Sequence, residues 1–491
     1  MKRIIASIIL VATLLTGVVT SLTSCGGNKN NGPAPDFVMP EGGYTGQEVT
    51  ITFYHSMGQN LEKVLQQAIK DFNELYPNIT VVSKKFDSYD VIHEKISKEV
   101  TVGSQPNLTI CYPDHVATYN EAGAVQALDS IINSTATATR KDGSTEQIGF
   151  TQEQINDFIP AYWAEGSAFS DGKTYVLPGY KSTEVLYYNK TYLDDMFGEG
   201  QYTLPTTWQE METFCAQIKA NAANPESMIP LGYDSTANLF ITLCEQFGSE
   251  YTSATGEKFR FDNETNQEFV KMLRRWYENG WLIVGDDKTY TSTYFTGSGE
   301  TETRCVMCIG STGGATYQRP AFSTDPNTNE TIYEFEVGIA PIPQQNPANP
   351  KVISQGPSIC IFKKTDSVEV LASYLFAKFL STDYSFQGGV SQTNGYLPVI
   401  KSIQNFEPYA AWLAEGTDTA HLEAYAARVT FANYDSLFTS PVFWGSAEAR
   451  NQAETIVNNA LKQTATDGVD ALIDKIFADA VRRCKTAIGE R

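Results

Sequence analysis

The sequence predicts an α/β fold, on three observations. The chain has 491 residues, which at roughly 150 residues per domain is material for two or three domains. Hydrophobic residues make up 42% and aromatic residues 12%, enough for large cores, and a charged fraction of 19% argues against global disorder. Short β-branched runs alternate with stretches of 3.6-residue apolar spacing, the alternation that covers a sheet with helices.

The elements follow in order. Met1-Lys2-Arg3 is a short positive segment, and Ile4 through Val19 is uncharged and apolar, the grammar of a secretory signal. It ends in Leu22-Thr23-Ser24-Cys25-Gly26, which resembles the lipobox of bacterial lipoproteins. That resemblance implies a signal peptide over 1–24, diacylation of Cys25, and an extracytoplasmic protein, periplasmic or on the cell surface, anchored to the membrane by lipid. Residues 25–46 are rich in Gly, Asn and Pro and read as a flexible tether. No second membrane-length apolar run follows, so a multi-span membrane protein is excluded.

Charge narrows the partners. Lys and Arg number 36 against 57 Asp and Glu, for a net −21, and no basic cluster exceeds pairs such as Lys84-Lys85 and Arg274-Arg275. Nucleic acid is therefore excluded as a partner, and a strongly acidic body suits a soluble monomer. Beyond Cys25, cysteines 111, 215, 244, 305, 308, 360 and 484 are odd in number and set in apolar contexts. Cys305-Val306-Met307-Cys308 is a lone CxxC without a second pair or a nearby histidine, so it reads as buried strand rather than zinc or redox site. No cofactor and no metal is expected.

The body opens with a strand over 49–54, a His55-Ser56-Met57-Gly58 loop, and a helix carrying Leu61, Val64, Leu65, Ala68, Ile69, Phe72 and Leu75 on one face. Tyr76-Pro77-Asn78 stops it and Ile79–Val82 resumes a strand, a βαβ unit. A helix over 89–100, a strand over 107–112 and a helix from His115 follow. Thr207 and Glu210 have capping-box spacing at the head of another helix. An amphipathic helix over 266–279 ends at Gly280, a strand over 337–343 runs into prolines, and the last third is mostly helical over 368–380, 407–414, 422–427, 447–462 and 468–487. Trp276 and Trp281 sit at core spacing, and Asp194-Asp195 and Asp286-Asp287 read as solvated turn charges.

Several segments now form a set. They are Phe53-Tyr54-His55-Ser56-Met57, Gly103-Ser104-Gln105-Pro106-Asn107, Ser182-Thr183-Glu184-Val185-Leu186-Tyr187-Tyr188-Asn189-Lys190, Leu204-Pro205-Thr206-Thr207-Trp208, Ser311-Thr312-Gly313-Gly314 and Gly395-Tyr396-Leu397-Pro398-Val399. In order and spacing the set resembles the extracytoplasmic solute-binding proteins of carbohydrate ABC importers, the branch that includes maltose-binding and glycerol-3-phosphate-binding proteins. The resemblance implies a two-lobe, periplasmic-binding-protein-like α/β fold with an interlobe cleft. It places lobe I at 47–181 and 313–356, lobe II at 182–312 and 357–491, and the crossings near Gly179–Val185, Gly310–Gly314 and Gln355–Ser358. It implies no enzymatic activity, a sugar or polyol ligand (an oligosaccharide or a glycerol-phosphate-like solute), and ABC permease subunits as partners.

Carried over residue by residue, the resemblance implies ligand contacts from Tyr89, Ser182, Ser311, Gly356 and Tyr396. The family's hydroxyl-accepting glutamate falls opposite Pro113, with Asp114 as stand-in, and the phosphate-pairing arginine falls at Val442-Phe443, where no cation stands. A dianionic phosphate would lose its charge-assisted contact there, so a neutral sugar or polyol is expected instead. Trp444 is either a stacking surface for a pyranose or core packing; His55 is either a cleft donor or a loop histidine satisfied by backbone. Two other classes remain open, a secreted glycoside hydrolase and a ligand-sensing surface lipoprotein. The first needs two carboxylates in one cleft, and no motif nominates them.

Overall fold

A computed structural model of the chain describes residues 35–285, 289–299 and 302–490. The expected signal peptide, Cys25, the start of the tether and Asp286-Asp287 lie outside the described residues. The end of the tether does not behave as one. Tyr44 is buried, stacks edge-on to Tyr76 at 5.6 Å, and its backbone bridges to Ala138. Gly43 lies at φ +74, where an added Cβ would meet the Thr137 carbonyl. The ordered body therefore begins before residue 46.

Two five-stranded sheets organise the body. Strands β1 (Val49–His55), β2 (Ile79–Lys85), β3 (Leu108–Cys111) and β4 (Val176–Pro178) belong to the first; β5 (Glu184–Asn189), β6 (Met228–Tyr233), β7 (Leu282–Val284), β8 (Arg304–Ser311) and β9 (Val337–Ala340) form the second; β10 (Ser358–Ile361) returns to the first. The first sheet runs β2-β1-β3-β10-β4 and the second β9-β5-β8-β6-β7. β1 pairs in parallel with β2 from Val49↔Ile79 and with β3 at Phe53↔Leu108, whereas β10 lies antiparallel between β3 and β4.

This topology corrects the expected lobe boundaries. Strand β9, expected in lobe I with 313–356, pairs antiparallel with β5 of the second sheet, Val337 opposite Asn189. Strand β10, expected in lobe II with 357–491, is a fully buried central strand of the first sheet. The helix after it, Ser367–Thr382, packs on that sheet, while helices 422–431, 446–462 and 469–487 pack with the second. The chain passes from the first sheet to the second over 179–183, and returns to the first through 353–358. The stretch 310–314 is not a crossing, because β8 leads through a 3₁₀ turn at Thr312–Gln318 back to β9 in the same sheet. Residues 395–399 lie beside the 179–183 crossing and lead back to the first lobe, where the Ile159 N–H donates to the Val399 carbonyl and Ile400 bridges to Phe158.

The two crossings and the 395–399 segment lie side by side. Leu397 exchanges backbone hydrogen bonds with Lys181 at 2.6 and 3.0 Å, and Ser182 does so with Gln355 at 2.8 and 3.0 Å. Gly356 sits at φ +91 with space for no Cβ, which would stand 2.8 Å from the Lys181 Cα. Beneath them Lys181 is wholly buried. Its ammonium donates to Glu165, to the Gly356 carbonyl at 3.2 Å and to the Ser358 hydroxyl at 2.8 Å. A buried pair of this kind persists only when its hydrogen bonds are filled, and these ties link two crossings to the first lobe.

Local elements follow the sequence logic. Helix α1 (Gln59–Leu75) buries Leu61, Leu65, Ala68, Ile69 and Phe72 on one face, and Phe72 meets Phe376 at 5.1 Å. Pro77 cannot continue it. Helix α2 (Tyr89–Glu99) is capped by Ser88, whose Oγ accepts from the Val91 N–H at 3.2 Å. The Thr207–Glu210 capping box forms on both sides. Trp276 is buried and Trp281 packs against the core, as their spacing suggested. The CxxC lies in buried strand β8, where the Cys308 thiol contacts Thr291 Oγ1 at 3.0 Å, and the seven cysteines of the body are free and buried. Asp194 pairs with Lys190 on its own helix. No described helix is long and apolar enough to cross a membrane.

Candidate functional site

Strand ends, crossings and helix N-termini converge between the two sheets. A cavity of about 60 Å³ is lined by Tyr112, Pro113, Asp114 and Glu165 from the first lobe. Crossing residues Ile353, Ser354, Gln355 and Gly356 form its floor, and Thr439, Ser440, Val442 and Arg450 close it from the second lobe. Tyr112 and Asp114 flank the start of helix α3 (Pro113–Glu121), directly after β3, and Arg450 belongs to helix α4 (Ser446–Lys462). The two helices approach each other across the cleft.

One wall is aromatic. The Tyr89 and Tyr180 hydroxyls are 3.3 Å apart, Tyr89 packs on Tyr112 at 4.9 Å, and Tyr180 meets Tyr396 edge-on at 4.8 Å. Tyr396 also lies over Gly313, where a Cβ would come within 2.7 Å of its ring. Burial raises all four phenols, so each remains a neutral donor and acceptor with a flat apolar face.

The other wall is ionic. Glu184, the first residue of β5, is buried and accepts from Tyr233 Oη at 2.6 Å and Asn238 Nδ2 at 3.2 Å. Burial pushes its carboxyl up to about 7, opposed by those bonds and by the Arg450 charge. Arg450 donates to Asn238 Oδ1. Across the cleft, burial also raises Asp114, while Arg450 and a hydrogen bond from Ser446 pull it back. The charge of the guanidinium thus acts on carboxyls of both lobes, while its hydrogen bond goes to Asn238. Among the described residues no group of three or more His, Cys, Asp or Glu is arranged to hold a metal.

The expected site residues divide. Asp114 and Gly356 line the cavity, and Tyr89 and Tyr396 belong to the tyrosine wall beside it. Ser182 lies in the crossing, its backbone committed to Gln355. Ser311 caps the 3₁₀ turn, its Oγ accepting from the Gly313 N–H at 3.2 Å. His55 is buried against Phe53; its Nδ1 accepts from the Met57 N–H at 3.3 Å and burial lowers it to about 4. Backbone thus satisfies one ring nitrogen, while Nε2 is buried without a hydrogen-bond partner among the described residues, and His55 does not line the cavity. Trp444 is 39% exposed, which removes the core reading, and it does not line the cavity.

No cation stands at Val442-Phe443, as expected from the sequence, but Arg450, about two helical turns on, lines the same cavity as Val442. Sequence reasoning also missed Tyr112, Glu165, Tyr180 and Glu184. Two of them carried a signal: Tyr112 directly follows a strand and Tyr180 opens a crossing, the places where α/β folds present ligands. Arg450 carried none, since a lone arginine on a helix reads as a solvated charge.

A profile of the bacterial extracellular solute-binding protein family matches residues 67–421. The sn-glycerol-3-phosphate-binding periplasmic protein of Shigella dysenteriae is 24% identical over 386 residues, covering 76% of this chain and 79% of that protein. Among solved structures, the Mycobacterium tuberculosis UgpB in complex with glycerophosphocholine superposes with a TM-score of 0.66 at 17% identity, covering 90% of this chain and 99% of that one. The Listeria monocytogenes substrate-binding protein Lmo0181, in complex with cycloalternan, gives 0.65 at 16% identity, covering 91% and 100%. These structural neighbours share the two-lobe fold.

Proposed function

Because this chain belongs to the bacterial extracellular solute-binding protein family, we propose that it is the substrate-binding component of an ABC importer and holds a neutral sugar or polyol between its lobes. One observation carries the choice of ligand: among the described residues, Arg450 is the one cation lining the cavity, it is engaged by Asn238 and faces the charges of Asp114 and Glu184, and Glu165 adds a third carboxyl group. A dianionic phosphate would meet that negative field, whereas hydroxyls donate to it. The tyrosines offer the flat faces against which sugar C–H groups pack.

The mechanism is closure. Ligand that touches both walls binds the closed arrangement better than the open one and shifts the equilibrium by that difference. The side-by-side crossings let the lobes rotate while keeping their hydrogen bonds. Closed protein is then the form delivered to the permease. In this reading Cys25 carries the lipid that holds the monomeric body outside the cytoplasm.

No chemistry on the ligand is proposed. Asp114 and Glu165 share a cavity, as a glycoside hydrolase requires, but Glu165 is bound to Lys181 and Ser358 and Asp114 to Ser446, which leaves neither poised as a free acid. Calorimetry against saccharides, polyols and their phosphates tests the reading. Neutral compounds are expected to bind more tightly than glycerol-3-phosphate, with compaction in solution scattering on binding. Tighter binding of the phosphate refutes the ligand class, and release of cleaved glycan refutes the binding-only role.

A further inference from the structure

The second crossing carries two polar side chains that no interaction within the protein uses. Ser354 is 9% exposed, and its Oγ is buried without a hydrogen-bond partner among the described residues. The Nε2 of Gln355 is buried and unpartnered in the same way. A buried donor without an acceptor gives up its hydration for nothing, so such groups are few in native structures and each needs a reason. Both residues line the interlobe cavity. Their backbones are fixed, Ser354 N–H donating to the Phe438 carbonyl at 2.8 Å and Gln355 exchanging bonds with Ser182. The unpaired groups are therefore held in place.

Glu165 lines the same cavity with the opposite capacity. Its bonds from Lys181 and, at 2.7 Å, from Ser358 both fall on Oε2, which leaves Oε1 to accept. Oε1 is thus the acceptor that Glu165 has left to offer.

Resting on the solute-binding reading above, we infer that Ser354, Gln355 and Glu165 together recognise adjacent hydroxyls of the ligand, a vicinal diol. Each hydroxyl is both donor and acceptor. One gives its proton to Glu165, and the oxygens accept from the Gln355 amide and the Ser354 hydroxyl. A phosphate group has acceptors alone; it would satisfy the two donors and leave Glu165 facing like charge. Because Ser354 and Gln355 belong to a crossing, the diol is gripped where the lobes are joined.

The test uses Ser354→Ala and Gln355→Leu in the full chain, titrated with glucose, maltose, maltotriose, glycerol and glycerol-3-phosphate. Each substitution is expected to weaken the tightest neutral compound about five- to tenfold, the scale of one lost hydrogen bond. The melting temperature should hold or rise, since an unpaired buried group has been removed. The tightest saccharide's deoxy counterpart should bind wild type more weakly and the variants equally. Glu165→Gln alone is expected to lower the melting temperature by stranding Lys181. Combining it with Lys181→Met should restore melting but not affinity. Unchanged neutral-ligand affinity in Ser354→Ala and Gln355→Leu, or a fall in their melting temperature, overturns the inference and leaves the solute-binding reading intact. Glycerol-3-phosphate binding wild type more tightly than every neutral compound overturns both.

Discussion

The two walls of the cleft are built on opposite principles. The first-lobe wall, Tyr89, Tyr112 and Tyr180, is a packed set of neutral rings whose polar tips bond to one another. The second-lobe wall, Glu184, Asn238 and Arg450, is a hydrogen-bonded chain in which Asn238 bridges a buried carboxyl to a half-buried guanidinium. Packed rings lose their contacts piecemeal, whereas a buried charge that loses its partner is left with the full cost of desolvation. The aromatic wall should therefore tolerate change and the ionic wall should not.

Arg450→Met is the most damaging test of that contrast. It leaves Glu184 and Asp114 facing low-polarity surroundings without their shared cation. The expected cost is about 2–3 kcal/mol of stability at pH 8, with ligand affinity reduced a hundredfold or more. Because Glu184 already sits at about 7, removing the cation drives it further up, and the variant should regain stability as pH falls toward 6. Chemical denaturation at both pH values measures this. A loss no greater than that of Tyr89→Ala would erase the distinction between the walls.

Tyr89→Ala is next. It removes one ring from the aromatic wall and leaves Tyr180 with its other contacts, so affinity should fall about tenfold, with a stability loss of roughly 1–2 kcal/mol. Tyr89→Phe separates the face from the tip, and retention of most of the affinity would assign the contribution to the ring.

The buried histidines of the first lobe and Glu184 of the second titrate in opposite senses. His55 and His115 of the first lobe are lowered by burial to about 4 and about 3, and the unfolded chain takes up those protons first. Their contribution is full above about 6.5 and is lost as pH falls through 6.5 toward 4 and 3. Glu184 is raised, so the folded chain keeps its proton longer; its contribution is full below about 4.5 and is lost as pH rises to 7. Denaturation midpoints across pH 4–8 should have a shallower acid limb in His55→Gln, where His115 remains, and a shallower neutral limb in Glu184→Gln. Both limbs flattening together in one variant would contradict the assignment.

The same contrast explains what was legible in the sequence. Helix faces such as Leu61–Phe72 and the capping box at Thr207 are local patterns, and the fold keeps them. Lobe membership of β9 and β10 is a pairing decision between strands far apart in sequence; Val337 joins Asn189 and Ser358 joins Cys111 for reasons no local window contains. Tyr89 and Tyr396 were expected at the site because each sits in a recognisable segment, and both stand in the tyrosine wall beside the cavity. Glu184, Asn238 and Arg450 were not, because an ionic wall is assembled from three distant elements and each member alone resembles surface.

Ser182→Ala is the smallest expected effect and bears on the seam between the walls. The Ser182 backbone is already satisfied by Gln355 through both its N–H and its carbonyl, so the crossing should fold without the hydroxyl. Loss of one donor to the ligand should weaken binding about fivefold with little change in melting temperature. If melting falls in step with affinity, the hydroxyl holds the crossing itself, and the seam belongs with the ionic wall as a structure whose parts cannot be removed singly.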